Sequence, residues 1–156
     1  MVWFVMVIFR GWVWMSSQDP SPERWIEEIN QIRAKGCTCG RTYMPPAGSL
    51  TWNAQLAQVA QSHSQDMASA RFFHHNSPKY GSPSDRLHQA GIEWQVWTEN
   101  LFKAQGYRPS PHEVIQAWIK SPGHCQNLLN PHVTETGVGS WQGHYTQLLI
   151  RPKSSK

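Results

Sequence analysis

The sequence predicts an α+β domain in which helices pack in layers against a small sheet. Four segments carry apolar residues at helical spacing, and three others have strand character. The strand-like segments follow and interleave with the helices, a pattern typical of layered α+β domains. With 156 residues, the chain fits one domain with a real core. Its nine Trp, five Phe and four Tyr argue against disorder.

The first two helices are predicted from their start signals and their apolar stripes. Ser21-Pro22 is a helix start, with Ser as the cap and Pro in the first turn, and Gly36 ends the run. The apolar stripe of this helix consists of Trp25, Ile26, Ile29 and Ile32. The second helix is predicted over about residues 53–69. Its buried face consists of Leu56, Val59, Ala60, His63 and Met67, so that His63 is a core histidine.

The second half of the chain alternates short helices and strands. A short helix is predicted over residues 84–90, and Ser110-Pro111-His112-Glu113 forms a capping box that begins the next one. Ser121-Pro122 ends that helix and begins a turn carrying His124 and Cys125. Strands are predicted over 94–101, 135–141 and 144–150, with a hairpin turn at Gln142-Gly143 between the last two.

The chain begins with an apolar segment that is not long enough to span a bilayer. Residues 1–14 are apolar except for Arg10 and Gly11, whereas a spanning helix needs about 20 apolar residues. We expect an atypical secretory signal or a clipped or misplaced start, and an apolar arm packed on the domain is the alternative. The predicted organisation is a leader and linker at 1–19, one domain at 20–152 and a polar tail at 153–156.

The three cysteines indicate a long-range disulfide. Cys37, Cys39 and Cys125 lack the four ligands of a structural zinc site, so a bridge from Cys39 or Cys37 to Cys125 is expected. Such a bridge closes a loop of roughly 86–88 residues and stabilises the fold by about 4 kcal/mol. It implies an oxidising compartment: secreted, periplasmic or at the cell envelope.

The charge distribution argues against nucleic acid as a partner. The formal net charge is +4, but three basic residues lie in the last six positions and no Lys/Arg block occurs elsewhere. No phosphate loop, dinucleotide fingerprint, His-Glu-x-x-His segment or nucleophile elbow is present either. A monomer without a transmembrane segment is expected.

A series of short motifs runs along about residues 20–150. They are Leu50-Thr51-Trp52-Asn53, His63 with Asp66-Met67, Phe72-Phe73-His74-His75-Asn76-Ser77-Pro78, Ser84-Asp85-Arg86-Leu87, Glu99-Asn100-Leu101, Ala117-Trp118 with Ser121-Pro122-Gly123-His124-Cys125-Gln126-Asn127, Glu135-x-Gly137-Val138-Gly139 and His144-Tyr145-Thr146-Gln147. In type and order, these motifs resemble the bacterial branch of the CAP superfamily (cysteine-rich secretory, antigen 5 and pathogenesis-related-1 proteins).

The resemblance implies a three-layer α-β-α sandwich with an antiparallel sheet between helices. It also implies a cleft that carries two His and two acidic residues. The first His corresponds to His75, the first Glu to Glu99 and the second His to His144. The second acidic position falls on Ser121, which departs from the plant and animal pattern, and His124 belongs to the bacterial motif and is expected to line the same cleft.

The chemistry of these residues permits three functions. We favour a binding or interaction module whose cleft holds a lipid, glycan or peptide, with His75 and His144 able to bind a divalent metal such as zinc. The alternative is a metal-assisted hydrolase that uses His75, His144 and Glu99, in which a histidine takes a proton from water and Glu99 orients it. The third hypothesis is a purely structural polar network. Whether the protein is an enzyme is left open, with preference for a non-enzymatic role.

Overall fold

The computed structural model describes residues 20–154, so the apolar segment expected as a leader lies outside the described residues. The helices are α1 (Pro22–Lys35), α2 (Ala54–Ser69), α3 (Pro83–Gln89), α4 (Pro111–Lys120) and α5 (Pro122–Leu128). The strands are β1 (Cys37–Cys39), β2 (Thr42–Met44), β3 (Thr51–Trp52), β4 (Trp94–Lys103), β5 (Glu135–Trp141) and β6 (His144–Pro152).

The main sheet has four strands in the order β3-β5-β6-β4. The pairs β4–β6 and β5–β6 are antiparallel, as expected, but β3 pairs with β5 in parallel. The expectation of three strands in a purely antiparallel sheet was therefore wrong in one detail. The added strand has only two residues, too few for an alternating pattern to identify.

Helices cover both faces of this sheet, which confirms the α-β-α sandwich. Alternation along β6 sends Leu148 towards α2 and Leu149 towards α1 and α4. The α1–α4 side contains Trp25 and Trp118, whose ring centroids lie 6.2 Å apart. The α2 side is closed by α3, where Leu87 is fully buried.

Two glycines allow α2 to lie directly on β5. A Cβ atom on Gly137 would lie 2.3 Å from the backbone nitrogen of Ala57, and one on Gly139 would lie 2.1 Å from that of Gln61. No side chain fits there without moving the helix. The close approach holds α2 at a fixed height over the sheet, and the loop that follows α2 carries the first predicted site histidine.

The predicted helix starts are confirmed in position, with one difference in chemistry. Ser110 accepts a hydrogen bond from the Glu113 amide, and the Glu113 carboxylate accepts one from the Ser110 amide, as the capping box requires. Helix α1 begins after Ser21, but the Ser21 side chain makes no cap hydrogen bond. Gln142 and Gly143 both have positive φ, so the predicted tight turn joins β5 to β6.

The disulfide joins Cys39 to Cys125, and Cys37 is a free thiol. Of the two alternatives left open by the sequence, the inner cysteine is therefore the bridged one. Both Cys37 and Cys39 lie on β1, which pairs with β2 in a small hairpin that the sequence did not predict. Lys153, expected to begin the polar tail, is bonded to Glu93 through both its backbone and its ammonium group.

Candidate functional site

The site is built around Glu99, a buried carboxylate on strand β4. Its side chain is 1 % exposed, and each oxygen has one strong partner. Arg86 Nη2 on α3 donates to Oε2 at 2.5 Å, and His75 Nδ1 lies 2.8 Å from Oε1. A buried carboxylate needs such partners, because an unpaired charge away from water is costly. Two of the sequence-predicted site residues, His75 and Glu99, are therefore in direct contact.

The contact with Glu99 determines which nitrogen of His75 is available for chemistry. A carboxylate only accepts hydrogen bonds, so Nδ1 is the nitrogen that carries the proton. In the neutral imidazole, the lone pair then belongs to Nε2. The His75 side chain is 47 % exposed. His75 therefore presents an oriented acceptor nitrogen at the surface, while Glu99 remains buried.

Arg86 also holds the backbone that carries His75. Its Nη1 donates to the carbonyl of His75 at 2.7 Å and to that of Gly81 at 3.0 Å. One guanidinium thus joins the carboxylate of Glu99 to the loop between α2 and α3. The ring of His75 is positioned from both ends, through Nδ1 and through its own carbonyl group.

His124 lies close to His75, on the short helix α5. Its half-buried imidazole has a lowered pKa, first because burial disfavours the charged form and second because of the charge of His75. The backbone carbonyl of His124 accepts a hydrogen bond from Asn100 Nδ2, the residue after Glu99 on β4. Asn127, also on α5, donates to the side chain of Asn100 and to the carbonyl of Glu99. These bonds attach α5 to the edge of the sheet beside the site.

His144 lies on the same face of the sheet as Glu99 but further along it. Glu99 faces Leu148 on β6, and His144 comes four residues earlier, so the two are separated by about 13 Å of strand. The loop residue Phe73 packs on the His144 ring, with centroids 6.3 Å apart. Since Phe73 is two residues before His75, the loop after α2 extends from one site position to the other.

The ring of His144 contains an unsatisfied buried atom. Nδ1 lies 3.2 Å from the carbonyl of Gln142, which makes it the protonated nitrogen. Nε2 is buried and has no hydrogen-bond partner within residues 20–154. Orphaned buried polar atoms are rare in folded proteins and call for a specific explanation.

Ser121 is placed at the junction of α4 and α5. It is the C-cap of α4 and the N-cap of α5, and its side chain makes no cap hydrogen bond to α5. Ser121 is a half-buried residue, three positions before His124. At this position the chain offers no carboxylate to a ligand or metal.

The family model for CAP, the cysteine-rich secretory protein family, matches residues 26–149. The chain belongs to the CAP family. Its CAP domain is 44 % identical over 84 residues to the uncharacterized protein YkwD of Bacillus subtilis, covering 54 % of this chain and 32 % of that one. It is 34 % identical to the uncharacterized membrane protein YlbC of the same organism, covering 88 % of this chain and 36 % of YlbC. The chain thus spans about a third of the length of these relatives.

Solved structures show the same CAP fold. An extracellular protein containing an SCP domain from Bacillus anthracis superposes with a TM-score of 0.67 at 30 % identity, covering 86 % of this chain and 45 % of that one. An outer surface protein of Borrelia burgdorferi has a TM-score of 0.67 at 20 % identity, with coverages of 84 % and 92 %. The CAP domain is therefore a bacterial SCP-like domain in its fold. Among the described helices, none is long and apolar enough to cross a membrane.

The site of this CAP domain fits a divalent metal in its donor chemistry but not in its geometry. His75 and His144 each carry a free Nε2, the usual zinc-binding nitrogen, and the Glu99–His75 contact resembles the carboxylate support that metal-bound histidines receive. However, the ligand atoms of His75, Glu99 and His144 do not gather within 4.8 Å of one another. Within the described range, three cysteines form the one such group.

A groove of about 560 Å³ opens on the other side of Arg86, between α2 and α3 of the CAP domain. His63 and Arg86 belong to its wall, together with Asp66, Lys79 and the apolar Val59. His63 is buried as expected, and its Nε2 lies 3.0 Å from the carbonyl of His74. Sequence reasoning missed Arg86 as a site residue. The signal was available, because a glutamate inside a predicted strand requires a cationic partner.

Proposed function

We propose that this CAP domain is an extracellular binding module whose contact surface centres on His75, with His124 beside it and the buried His144 further along the same face of the sheet. The observation that carries the proposal is the His75–Glu99 contact, which uses Nδ1 and leaves Nε2 as the acceptor nitrogen of a half-exposed imidazole. A purely structural network would be expected to bury both ring nitrogens or satisfy them internally. An extracellular location is supported by the Cys39–Cys125 disulfide, since disulfides persist in oxidising compartments.

The groove on the other side of Arg86 from His75 suits a peptide or a glycan better than a lipid chain. The groove beside Arg86 presents the charged groups of Asp66 and Lys79 together with Val59 and Ala90. A buried acyl chain favours a wall without charges, whereas peptides and glycans offer polar groups to pair with them. The exposed ring of Phe73, close to His144, adds an apolar contact at the far end of the site.

A divalent ion would bind at Nε2 of His75, with the ligand or water supplying further donors, because His144 lies too far along the sheet to join it. Zinc there would act as a Lewis acid or hold an anionic ligand group. Glu99 contributes by keeping the proton on Nδ1 of His75, since both of its oxygens are already occupied. With an uncharged Ser121 at the fourth family position, weak and exchangeable binding is expected.

A hydrolase is the second candidate, and one observation favours it. Glu99 orients His75 as a carboxylate orients a general base, which leaves Nε2 to accept a proton from water. In this scheme Glu99 is a positioning residue and not the base. Turnover of peptide or ester substrates that disappears in His75→Ala and falls in Glu99→Gln would support this candidate over the binding module.

Zinc calorimetry tests the proposed contact surface. The titration uses the oxidised protein with Cys37→Ser in the background, so that the free thiol does not bind the metal. We expect measurable binding that is lost in His75→Ala and unchanged in His132→Ala, a matched exposed histidine. No zinc binding, together with no change at the His75 ring by NMR when peptide mixtures, oligosaccharides or phosphatidylcholine vesicles are added, would overturn the proposal.

A further inference from the structure

The three cysteines form a cluster outside the site described above. Cys37 and Cys39 are two positions apart on β1, so their side chains share one face of the strand. Both face Cys125 on α5. The thiol of Cys37 lies only 3.2 Å from Sγ of Cys125, although the bond of Cys125 is made to Cys39. All three sulfur atoms lie within 4.8 Å of one another.

Access from solvent differs sharply within this cluster. Cys39 is 1 % exposed and Cys125 is 0 % exposed, so a dissolved thiol cannot reach either sulfur of the disulfide in the folded domain. Cys37 is partly exposed and therefore touches both the solvent and the buried disulfide. Thiol–disulfide exchange requires direct attack on a sulfur, so its rate depends on such access.

We propose that Cys37, Cys39 and Cys125 form a thiol–disulfide exchange site, with small thiols and disulfides of the glutathione class as its redox partners. In the first step, the thiolate of Cys37 attacks Sγ of Cys125. The Cys37–Cys125 bond forms, the Cys39–Cys125 bond breaks and the electron pair leaves on Cys39, so the step needs no outside oxidant. The disulfide now includes the partly exposed sulfur.

An external thiol completes the reduction from there. Its thiolate attacks Sγ of Cys37 to form a mixed disulfide, and Cys125 leaves as a thiolate. A second external thiol attacks the outer sulfur of the mixed disulfide, which releases the external disulfide and a Cys37 thiolate. Two electrons pass from two external thiols to the protein disulfide. The reverse sequence installs the buried Cys39–Cys125 bond from an external disulfide.

The surroundings of the cluster tolerate both bridged forms. The two alternative bridges join cysteines that are 86 and 88 residues apart in the sequence, so the entropy of loop closure is nearly the same for both. Cys39, Cys125 and Leu129 form a small apolar cluster against which Cys37 also packs. β1 is a three-residue strand of a separate two-stranded hairpin, so a small shift of this hairpin leaves the four-stranded sheet unchanged.

Reduction kinetics of the folded, oxidised protein test this proposal. With 2-mercaptoethanol as the probe, the disulfide of Cys37→Ser is expected to be reduced about tenfold more slowly than that of wild type, because the accessible relay sulfur is lost. Thr38→Ser, a change on the opposite face of β1, is the matched control and is expected to keep the wild-type rate. Equal rates for Cys37→Ser and wild type would overturn the proposal.

A second variant tests the alternative bridge without relying on rates. Oxidised glutathione is expected to convert Cys39→Ser to a form with a Cys37–Cys125 disulfide, identified by peptide mapping after an acid quench. Two free thiols in this variant, with the native circular dichroism spectrum retained, would refute the exchange step. The unfolding free energy of Cys37→Ser is measured in parallel. A value equal to that of wild type shows that slower reduction does not come from rarer opening of the domain.

Discussion

Arg86 and Glu99 form a buried ion pair that joins α3 to strand β4, with the two side chains 5 % and 1 % exposed. Replacing Glu99 by Gln keeps the shape but leaves the guanidinium without its counter-charge. Breaking one side of a buried pair costs about 3–5 kcal/mol. We therefore expect Glu99→Gln to lose about 3 kcal/mol of unfolding free energy, measured by guanidinium denaturation.

His75→Ala is the matched comparison for this prediction. It removes the other partner of Glu99, but from a half-exposed position, so a loss of about 1 kcal/mol is expected. Equal losses in the two variants would show that the pair is not the element that holds the site together.

Stability is expected to fall in mild acid because His63 is buried. Burial lowers the pKa of His63 below its ordinary value of 6.5. Between pH 6.5 and the lowered pKa, the unfolded chain therefore binds a proton at His63 that the folded protein does not bind. The unfolding free energy decreases as the pH falls through this range. Chemical denaturation from pH 7.5 to pH 4.5 measures the slope. His63→Gln is expected to reduce it, and an equal reduction in the exposed control His132→Gln would contradict this prediction.

The close approach of α2 to β5 predicts a strong effect for a very small substitution. In Gly139→Ala, the new methyl group would lie against the backbone of Gln61, which cannot move without moving the helix. Overpacking of this kind costs about 1–3 kcal/mol, and the displaced loop carries His75. Gly123→Ala is the control, because a Cβ there meets no atom within 4 Å. If both variants melt at the same temperature, the contact between α2 and β5 is not tight.

The reactivity of Cys37 is expected to increase with pH over a higher range than that of an exposed thiol. Burial raises the pKa of its thiol above the ordinary value of 9.0, so the thiolate is scarcer at neutral pH than in an exposed thiol. The rate of alkylation by iodoacetamide should therefore keep rising beyond pH 9, with glutathione as the reference. A rate that reaches its plateau below pH 9 would contradict a raised pKa.

The sequence predicted those parts of the fold that depend on local chemistry. The capping residues predicted that α4 begins after Ser110, and Gln142-Gly143 predicted the turn between β5 and β6. Short elements were missed, since the two residues of β3 pair in register only through contact with β5. The choice between Cys37 and Cys39 also depended on tertiary distances that a spacing of two residues does not reveal.

The arrangement of the proposed site residues was predicted only in part. His75 and Glu99 are in contact as expected, and His124 lies nearby. His144 is on the correct face of the sheet, yet register places it four residues from the partner of Glu99. Register is set by the pairing of the whole strand, which no single motif records.

The tautomer of His75 decides whether the site presents an acceptor nitrogen to a ligand. Two-dimensional NMR of the ¹⁵N-labelled neutral imidazole distinguishes the two ring nitrogens. The Glu99 contact predicts a proton on Nδ1 and a lone pair on Nε2, and loss of this preference in Glu99→Gln. A proton on Nε2 in the wild-type protein would mean that Glu99 does not hold this ring, and that His75 offers no oriented nitrogen to a metal, a ligand or water.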